Sequence, residues 1–462
     1  MNNLNPVRIH IIDHSMSRLL SPEYLPDLRE LLSYTESNYY YGEMAFRKKS
    51  EIGRTGLFLT GYVDLIKKHF PVRIVRDDSC KGISVKNNIE GFSGGDFKFF
   101  RDQVDVFEKI KNTRRGFIKY PTGSGKTVIA AGVIYMYDPE MCLFIVHTKD
   151  LLVQTIENFQ NYFGKKMIGC IGSGKYKPGR ITVGTIQSLG NRFSEKESQK
   201  VDMIIVDEGH HLHSSSYRKF INTLTNCSVR YALTGTMHKK NKAAILIREG
   251  LIGPAIAEIT SSTLIDRGRL AKPKIYFCSY KDLPVDEFDP EEYKSDDYRA
   301  IYQLGIVQNR ERNKTIAKVS KECVMRGEKI LIIVKHVRHG KYLEALGAGV
   351  LVQGSTKIEE RTFVKKLFGS TSTGFSVIAT PVWDEGTDIP SVNAIIPAGA
   401  GKSEIKVIQW IGRGLRVTES KKTVDVYDFI DSVHPILLRH SKSRAALFKR
   451  EGWPIQVVDM VE

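Results

Sequence analysis

A glycine-rich turn, PTGSGKT at residues 121–127, has the composition and the setting of a phosphate-binding loop. It follows a predicted strand and begins a predicted helix, whose N-terminus attracts an anion. Gly123 and Gly125 permit backbone angles that direct N–H groups at phosphate oxygens. Lys126 can reach the β- and γ-phosphates, and the Thr127 hydroxyl can bind Mg²⁺. This loop therefore predicts the binding of a nucleoside triphosphate.

Two adjacent carboxylates follow another apolar run. The run ends in VDEGH at residues 206–210, and the carboxyl end of a parallel strand is where α/β sheets bind ligands. Asp207 would contact Mg²⁺ directly or through water, and Glu208 would orient and deprotonate the attacking water. The histidines of GHHLH (209–213) have no acidic or cysteine ligand at the usual spacing, so we expect no metal bound to them. The sequence therefore predicts hydrolysis of the bound triphosphate.

Two arginines near the end of the chain fit the same chemistry. QWIGRGLR at residues 409–416 has the form Q-x-x-G-R-x-x-R, with Arg413 and Arg416 about one helical turn apart. A fixed guanidinium charge suits the transition state at a γ-phosphate, where an arginine finger contributes roughly 10³–10⁵ in rate. The motif stands late in the chain, just before the apolar run 423–429, and this position favours such a role.

Each of these motifs also has a plainer structural interpretation. The glycine-rich turn could merely join a strand to a helix, and the strict phosphate-loop pattern has a glycine where Tyr120 stands. The two carboxylates could cap the next helix, and an isolated R-x-x-R pair is usually a solvated helix face. The occurrence of all three motifs in this order in one chain favours the hydrolytic site.

Apolar runs alternate with helical patterns in two stretches of the chain. Such runs suit strands that are buried on both faces of a parallel sheet. The runs are 116–120, 142–147, 181–185, 203–208 and 231–236 in the first stretch, and 329–334, 349–354, 375–380, 392–397 and 423–429 in the second. We therefore expect an α/β fold with two tandem parallel-sheet domains, preceded by a small mixed α/β N-terminal domain.

The same patterns predict the domain boundaries. Residues 1–95 would form an accessory domain, and GFSGGDF at 91–97 supplies a flexible break after it. Residues 96–272 would form the ATP-binding domain and residues 273–435 the second domain, followed by a basic C-terminal extension, 436–462.

The charge balance favours a polyanionic partner. The chain has 69 Lys and Arg against 52 Asp and Glu, a formal net charge of +17, and nearly all of the surplus lies after residue 95. A nucleic-acid backbone is the simplest such partner. Six scattered cysteines without C-x-x-C spacing favour reduced thiols in the cytoplasm. The first residues do not have a secretory pattern, and no apolar stretch approaches the roughly 20 residues that span a bilayer, so we expect no membrane association.

Taken in order, these residues resemble the motifs of superfamily 2 helicases over nearly all of residues 96–435. The further matching segments are RDQ (101–103), IVHTKDLLVQ (145–154), VGTIQSL (183–189), LTGT (233–236), ILIIVKH (330–336), LVQGST (351–356) and ATPVWDEGTDIP (379–390). DEGHHLHSSSY (207–217) and NRERN (309–313) resemble the DNA-directed group of phage UvsW-like branch-migration helicases and XPB-type translocases. The resemblance implies that both parallel-sheet domains are RecA-like.

The resemblance also implies a role for each matching residue. The residues that would bind ATP are Pro121, Thr122, Gly123, Ser124 and Gly125, with Gln103 reading adenine and Gly386 and Asp388 contacting ATP or the arginine motif. The residues that would contact the nucleic-acid backbone are Thr148, Thr185, Gly354, Ser355 and Thr380. The residues that would couple nucleotide state to domain movement are His210, Thr234 and Thr236. Gln409, Arg413 and Arg416 would complete the site from the second domain, and residues 1–95 would select among substrates.

The resemblance implies an ATP- and Mg²⁺-dependent DNA helicase or translocase that acts on forks and Holliday-type junctions in recombination, repair or replication. It also implies a phage protein that works in the host cytoplasm. Many such motors work as monomers, and we expect the same of this one. An RNA helicase, a double-stranded DNA translocase subunit of a larger complex, and a nucleic-acid-binding protein with a vestigial ATPase are the alternatives. The sequence has no DEAD box and no recognisable RNA-binding module, which disfavours the first. Intact Lys126, Asp207, Glu208, Arg413 and Arg416 disfavour the last.

Overall fold

A computed structural model describes most of the chain. The described ranges are 5–40, 43–93, 98–235, 241–281, 297–370, 373–380, 392–401, 404–415, 417 and 421–460. The chain divides into two compact units, residues 1–120 with 125–259 and residues 121–124 with 260–462. Within the described ranges, no helix is both long enough and apolar enough to cross a bilayer.

The N-terminal part of the first unit is a small sheet with two helices and a hairpin. Its elements are β1 (Val7–Ile11), β2 (Met16–Leu19), α1 (Leu25–Leu31), β3 (Ser33–Tyr40), β4 (Glu43–Ser50), β5 (Leu57–Leu59), α2 (Val63–His69) and β6 (Val72–Asp77). The sheet order is β5-β2-β1-β6, and β3 pairs with β4 in a separate antiparallel hairpin. In β1, buried Val7 and Ile9 flank exposed Arg8, the period of two expected of a strand with one buried face.

The first unit continues with an eight-stranded sheet. Its elements are α3 (Arg101–Lys111), β7 (Arg115–Lys119), α4 (Lys126–Tyr137), β8 (Cys142–Val146), α5 (Lys149–Phe163), β9 (Ile168–Gly172), β10 (Lys175–Lys177), β11 (Ile181–Thr185), α6 (Ile186–Arg192), α7 (Glu195–Ser198), β12 (Met203–Val206), α8 (Ser215–Asn222), β13 (Val229–Thr234), α9 (Lys242–Leu251) and β14 (Ala255–Glu258). The strand order is β10-β9-β11-β8-β12-β13-β7-β14, and every neighbouring pair except β9–β10 is parallel. All residues of β8, β11 and β12 are buried, because helices cover both faces of such a sheet.

The small sheet and the large sheet share one hydrophobic core. The buried cluster common to both includes Ile9, Leu28, Tyr62, Phe117 and Leu251. Polar contacts close the same junction, since the Ser15 hydroxyl donates to the Leu224 carbonyl oxygen at 3.3 Å. The buried Arg230 guanidinium donates to the Ser15 hydroxyl at 2.7 Å and to the Leu224 carbonyl oxygen at 2.6 Å. The N-terminal sheet is therefore built onto the first parallel sheet.

Gly61, in the turn before α2, packs against the end of α9. A Cβ at this position would collide with the carbonyl oxygens of Glu249 and Gly250. Because backbone atoms cannot yield as a flexible side chain can, we expect Gly61→Ala to lower the free energy of unfolding by about 1–3 kcal/mol. Urea denaturation measures this change. Gly190→Ala is the matched control, since nothing lies within 4 Å of its added Cβ, and equal stability of the two variants would contradict the prediction.

The second unit contains a seven-stranded sheet in which all neighbouring pairs are parallel. Its elements are α10 (Ser261–Asp266), β15 (Lys272–Ser279), α11 (Tyr298–Tyr302), α12 (Arg310–Met325), β16 (Lys329–Ile333), α13 (Val337–Ala345), β17 (Val350–Val352), α14 (Ile358–Ser370), β18 (Phe375–Ala379), β19 (Ala394–Ile396), α15 (Glu404–Gly414), β20 (Thr423–Phe429), α16 (Pro435–Arg450) and β21 (Ile455–Asp459). The strand order is β17-β18-β16-β19-β20-β15-β21. The predicted α/β fold, with two parallel-sheet domains after a small mixed α/β region, is confirmed.

The basic C-terminal segment belongs to this second sheet. Its strand β21 pairs with β15, and its helix α16 contains Arg444, which is only 2% exposed. The Arg444 guanidinium donates to Asp428 at 2.7 Å and to Asp431 at 3.2 Å. Buried Arg312 donates to the same Asp431 carboxylate at 2.8 Å. At least one basic residue of this segment, Arg444, is therefore buried and paired with carboxylates inside the second unit. The predicted domain boundaries stay predictions.

Candidate active site

The glycine-rich loop connects β7 to α4. Gly123 and Gly125 have φ angles of 79° and 102°, in the left-handed region that favours glycine. The Ser124 hydroxyl donates to the Pro121 carbonyl oxygen within the loop. Lys126 is the first residue of α4. The backbone therefore turns directly into a helix N-terminus, the arrangement that binds phosphate groups in many proteins.

Tyr120 stands where the strict phosphate-loop pattern has a glycine. Its ring is fully buried in the core of the first sheet, and its hydroxyl donates to the Asp102 carboxylate in α3. Gln103, which follows Asp102 on α3, is also buried, and its side-chain oxygen accepts a hydrogen bond from the Phe100 backbone N–H at 3.0 Å. Tyr120 thus ties the loop to the start of α3, where Gln103 lies. The adenine-reading role of Gln103 stays a prediction.

The order of the strands brings the charged groups together. β8, β12, β13 and β7 are successive parallel neighbours, so their carboxyl ends share one edge of the sheet. At this edge the Lys126 ammonium donates to Glu208 Oε1 at 3.0 Å. The Glu208 backbone N–H donates to Asp207 Oδ1, also at 3.0 Å. Thr127 follows Lys126 on α4 and is half-buried. A lysine and two carboxylates therefore converge beside the glycine-rich loop.

Burial and neighbouring charges shift the pKa values of the two carboxyls in opposite directions. Burial, followed by the Glu208 charge, raises the pKa of Asp207 to about 6. Burial acts in the same direction on Glu208, but the Lys126 ammonium and His210 outweigh it and hold the pKa of Glu208 below its usual range. A cation beside Asp207 would relieve the repulsion between the two carboxylates, which is the environment expected of a metal ligand.

Glu208 has an unusual backbone conformation for a non-glycine residue. Its φ of 48° and ψ of 52° lie in the left-handed region. Such a conformation costs on the order of 1–3 kcal/mol and persists where surrounding contacts determine it, most often at functional sites. Here the contact with Lys126 and the bond from the Glu208 N–H to Asp207 are those contacts. The residue proposed as the catalytic carboxylate, Glu208, is therefore also the one with the strained backbone.

Histidines lie beside the carboxylates. His210 Nδ1 is 3.2 Å from Glu208 Oε2 and 3.4 Å from Thr234 Oγ1. His211 stacks on His147, with ring centroids 3.9 Å apart and ring planes 10° apart. Burial, followed by the charges of His210 and His147, lowers the pKa of His211 to about 3, so this ring is neutral at neutral pH. In the part of the chain that the structure describes, no group of three or more His, Cys, Asp or Glu is arranged to hold a metal ion.

The sequence assigns no role to His147, although this residue lies within the matching segment IVHTKDLLVQ (145–154). It directly follows β8, whereas His211 lies in the turn after β12. The two strands are parallel neighbours, with Val206 opposite Ile145, and this pairing brings the two rings together. The only sequence signal is a histidine at the end of each of two predicted strands, which is too common to predict a contact.

Two candidate nucleic-acid residues of the first unit cap helices. Thr148 Oγ1 accepts a hydrogen bond from the Leu151 N–H at the start of α5, and Thr185 Oγ1 accepts one from the Ser188 N–H at the start of α6. β8 and β11 are parallel neighbours, so these two helix N-termini lie at the same edge of the sheet. Thr185 is buried and its hydroxyl donates to the Ser188 hydroxyl. The Thr185 hydroxyl is therefore engaged within the protein, and its contact with nucleic acid stays a prediction.

The remaining candidates belong to the second unit or lie outside the described residues. Gly354 and Ser355 are exposed in the turn after β17. Thr380 follows β18 and is buried, and its hydroxyl has no hydrogen-bond partner among the described residues. Gln409 is half-buried on α15. The positions outside the described part are Thr236, Gly386, Asp388, Arg416 and the side chain of Arg413, although the Arg413 backbone lies in α15.

Comparison with known proteins gives matches along most of the chain. Two family models match, Type III restriction enzyme, res subunit, over residues 85–239 and Helicase conserved C-terminal domain over residues 311–418. The ATP-dependent DNA helicase UvsW of Enterobacteria phage T4 is 31% identical over 346 residues, which cover 71% of this chain and 67% of the phage protein. Putative helicase 22 of Sulfolobus islandicus filamentous virus is 27% identical over 372 residues, which cover 73% of this chain and 64% of that protein.

A solved structure matches the fold over a similar share of the chain. Dbp5 of S. cerevisiae, bound to RNA and ADP BeF₃, superimposes with a TM-score of 0.54 at 16% identity, covering 78% of this chain and 89% of Dbp5. At this identity the match shows the fold alone.

Proposed function

The chain belongs to the UvsW-like group of superfamily 2 helicases, and from this premise we propose that it is an ATP-driven DNA helicase or translocase that remodels branched DNA. The observation that supports the proposal most directly is the contact between Lys126 and Glu208 at 3.0 Å, beside a glycine-rich turn that opens a helix. This arrangement suits the hydrolysis of a nucleoside triphosphate, which would drive movement along DNA.

The residues of this site fit ATP and Mg²⁺. Gly123 and Gly125 form the turn in which N–H groups would bind phosphate oxygens, and Lys126 would move from Glu208 to the β- and γ-phosphates. Thr127 and Asp207 would hold Mg²⁺, whose charge would stabilise the transferring phosphoryl group.

Glu208 would be the general base of hydrolysis. With Lys126 at the phosphates, the charge that most strongly lowers the pKa of Glu208 would be withdrawn, and the carboxylate would become more basic. Binding of the triphosphate would thus prepare Glu208 to accept a proton from the attacking water. His210 contacts both Glu208 and Thr234, so it would transmit a movement of Glu208 to Thr234 at the end of β13.

The second unit would supply the remaining charges. By family resemblance, Arg413 and Arg416 would neutralise the transition state and Gln409 would help to orient the attacking water. Gly386 and Asp388 would take part in the same nucleotide-dependent movement. This part of the proposal rests on the order of the motifs in the sequence.

Nucleic acid would bind chiefly through its backbone. The N-termini of α5 and α6 offer N–H groups at one edge of the first sheet, and helix N-termini are favourable positions for phosphate oxygens. Gly354, Ser355 and Thr380 would form the corresponding contacts in the second unit. Contacts of this kind carry no base information, so preference for forks or junctions would come from elsewhere, and residues 1–95 are the proposed source.

The decisive experiment is ATP hydrolysis by the purified protein with four-way-junction DNA, linear duplex DNA, single-stranded DNA or single-stranded RNA. We expect the junction to give the strongest stimulation, with Glu208→Gln as the inactive control. Stimulation by RNA alone would favour an RNA helicase, and stimulation by linear duplex alone would favour a translocase. Absence of hydrolysis with every polymer would contradict the proposal.

DNA affinity is expected to fall steeply with salt and to depend little on base sequence. Each phosphate contact releases bound cations, so the slope of log K against log salt should become more negative by roughly 0.9 for each contact with duplex DNA. Fluorescence anisotropy with two duplexes of unrelated sequence, titrated at several salt concentrations, measures both properties. An affinity that varies strongly between the two sequences and weakly with salt would contradict backbone recognition.

A further inference from the structure

A row of three histidine rings joins the hydrolytic carboxylate to a predicted nucleic-acid contact. It begins at His210, whose Nδ1 is 3.2 Å from Glu208 Oε2. It continues through His211, whose ring centroid is 4.1 Å from that of His210. It ends at His147, stacked on His211 at 3.9 Å. The other two rings also lie within matching segments, but the resemblance assigns a role to His210 alone.

His147 is directly bonded to Thr148, the residue that caps α5. Thr148 is the N-cap of that helix, and its hydroxyl accepts a hydrogen bond from the Leu151 N–H at 3.3 Å. A displacement of the α5 N-terminus therefore moves His147 through one peptide unit. Because the rings of His147 and His211 are nearly parallel and in contact, His147 cannot shift far without moving His211 or losing the packing.

His211 is held in the same turn as His210. Residues Gly209–His213 form a single 3-10 turn, and His211 N–H donates to the Glu208 carbonyl oxygen at 3.0 Å. Its ring is buried and neutral, so it stacks on His147 without charge repulsion. A movement of His211 is therefore passed to a turn whose preceding residue is Glu208, in the strained left-handed conformation.

We propose that the His147–His211 stack is the link through which nucleic acid bound at the N-terminus of α5 adjusts the position of Glu208 and accelerates ATP hydrolysis. The two histidines are positioning residues, since neither contacts Lys126 or Asp207 in any hydrogen bond of the described residues. The inference rests on the proposed function and adds the route by which polymer binding regulates the hydrolytic site.

The test compares ATP turnover without polymer and with saturating four-way-junction DNA. For His147→Ala and His211→Ala we expect the basal kcat and the KM for ATP to stay within about twofold of wild type, while the stimulated kcat falls about five- to thirtyfold. His147→Phe preserves a planar ring and should restore most of the stimulation. Glu157→Ala changes an exposed side chain of α5 outside the stack and should behave as wild type.

DNA affinity, measured by anisotropy, separates coupling from binding. Unchanged DNA affinity together with lost stimulation of ATP hydrolysis supports the link. A double variant of His147 and His211 whose stimulated kcat falls no further than that of either single variant also supports it. Normal stimulation in both alanine variants would overturn the inference alone, as would an equal fall in the basal and stimulated rates. A wild-type protein that hydrolyses ATP equally fast with and without DNA would overturn the inference together with the proposed function.

Discussion

Replacement of Lys126 by alanine is expected to lower the kcat of DNA-stimulated ATP hydrolysis roughly 10²–10³-fold. In the proposed mechanism its ammonium stabilises the charge on the β- and γ-phosphates, and no other described lysine contacts Glu208. Its removal also withdraws the charge that offsets burial of Glu208, so the pKa of that carboxyl rises. Phosphate release at saturating ATP and DNA measures the loss.

The matched control for this variant is Lys111→Ala. Lys111 also forms a lysine–glutamate pair, with Glu108 at 2.6 Å, but on the exposed face of α3. Exposed pairs contribute little, and this one lies outside the loop, so wild-type turnover is expected. Equal activities of Lys126→Ala and Lys111→Ala would refute the phosphate-binding role of Lys126.

Glu208→Gln is expected to lower kcat roughly 10²–10⁴-fold, the usual contribution of a general base. The amide keeps the size of the carboxylate but cannot accept the proton of the attacking water. Because Lys126 and the glycine-rich loop are unchanged, ATP and DNA should still bind. Single-turnover hydrolysis measures the chemical step, and binding of a fluorescent ATP analogue measures the retained affinity.

Glu108→Gln is the control for this second prediction. Glu108 pairs with Lys111 at 2.6 Å on the exposed face of α3. Its replacement should leave the single-turnover rate unchanged. If Glu208→Gln hydrolysed ATP at the wild-type rate, another group would have to be the base.

The two parallel sheets could be predicted from sequence because their central strands are continuous apolar runs. Residues 142–147 and 203–208 contain β8 and β12, which are buried at every position. β2 is only four residues long, and β3 and β4 consist largely of polar residues, so the apolar pattern did not reveal them. Nor could it reveal the core shared with the first sheet, since that depends on contacts between residues far apart in the chain, such as Ser15 and Arg230.

The convergence at the candidate site could be predicted in part. Lys126 and Glu208 follow strands that a parallel sheet brings to one edge, and the structure has them 3.0 Å apart. The left-handed backbone of Glu208 could not be predicted, because glutamate has no preference for that region. The burial of Arg444 could not be predicted either. The sequence shows it only as one charge of a basic C-terminal extension, whereas its burial depends on Asp428 and Asp431 in another segment.

The common core of the small sheet and the first parallel sheet bears on how substrate choice could be engineered. An accessory domain on a free linker can be exchanged between motors. Here, removal of residues 1–77 would expose the apolar side chains that pack against Tyr62, and Arg230 would lose its Ser15 partner. Grafting this region onto a related motor would require the matching surface of α9 to be transplanted with it. If residues 1–95 select substrate as proposed, this selection cannot be exchanged without also rebuilding part of the first parallel-sheet region.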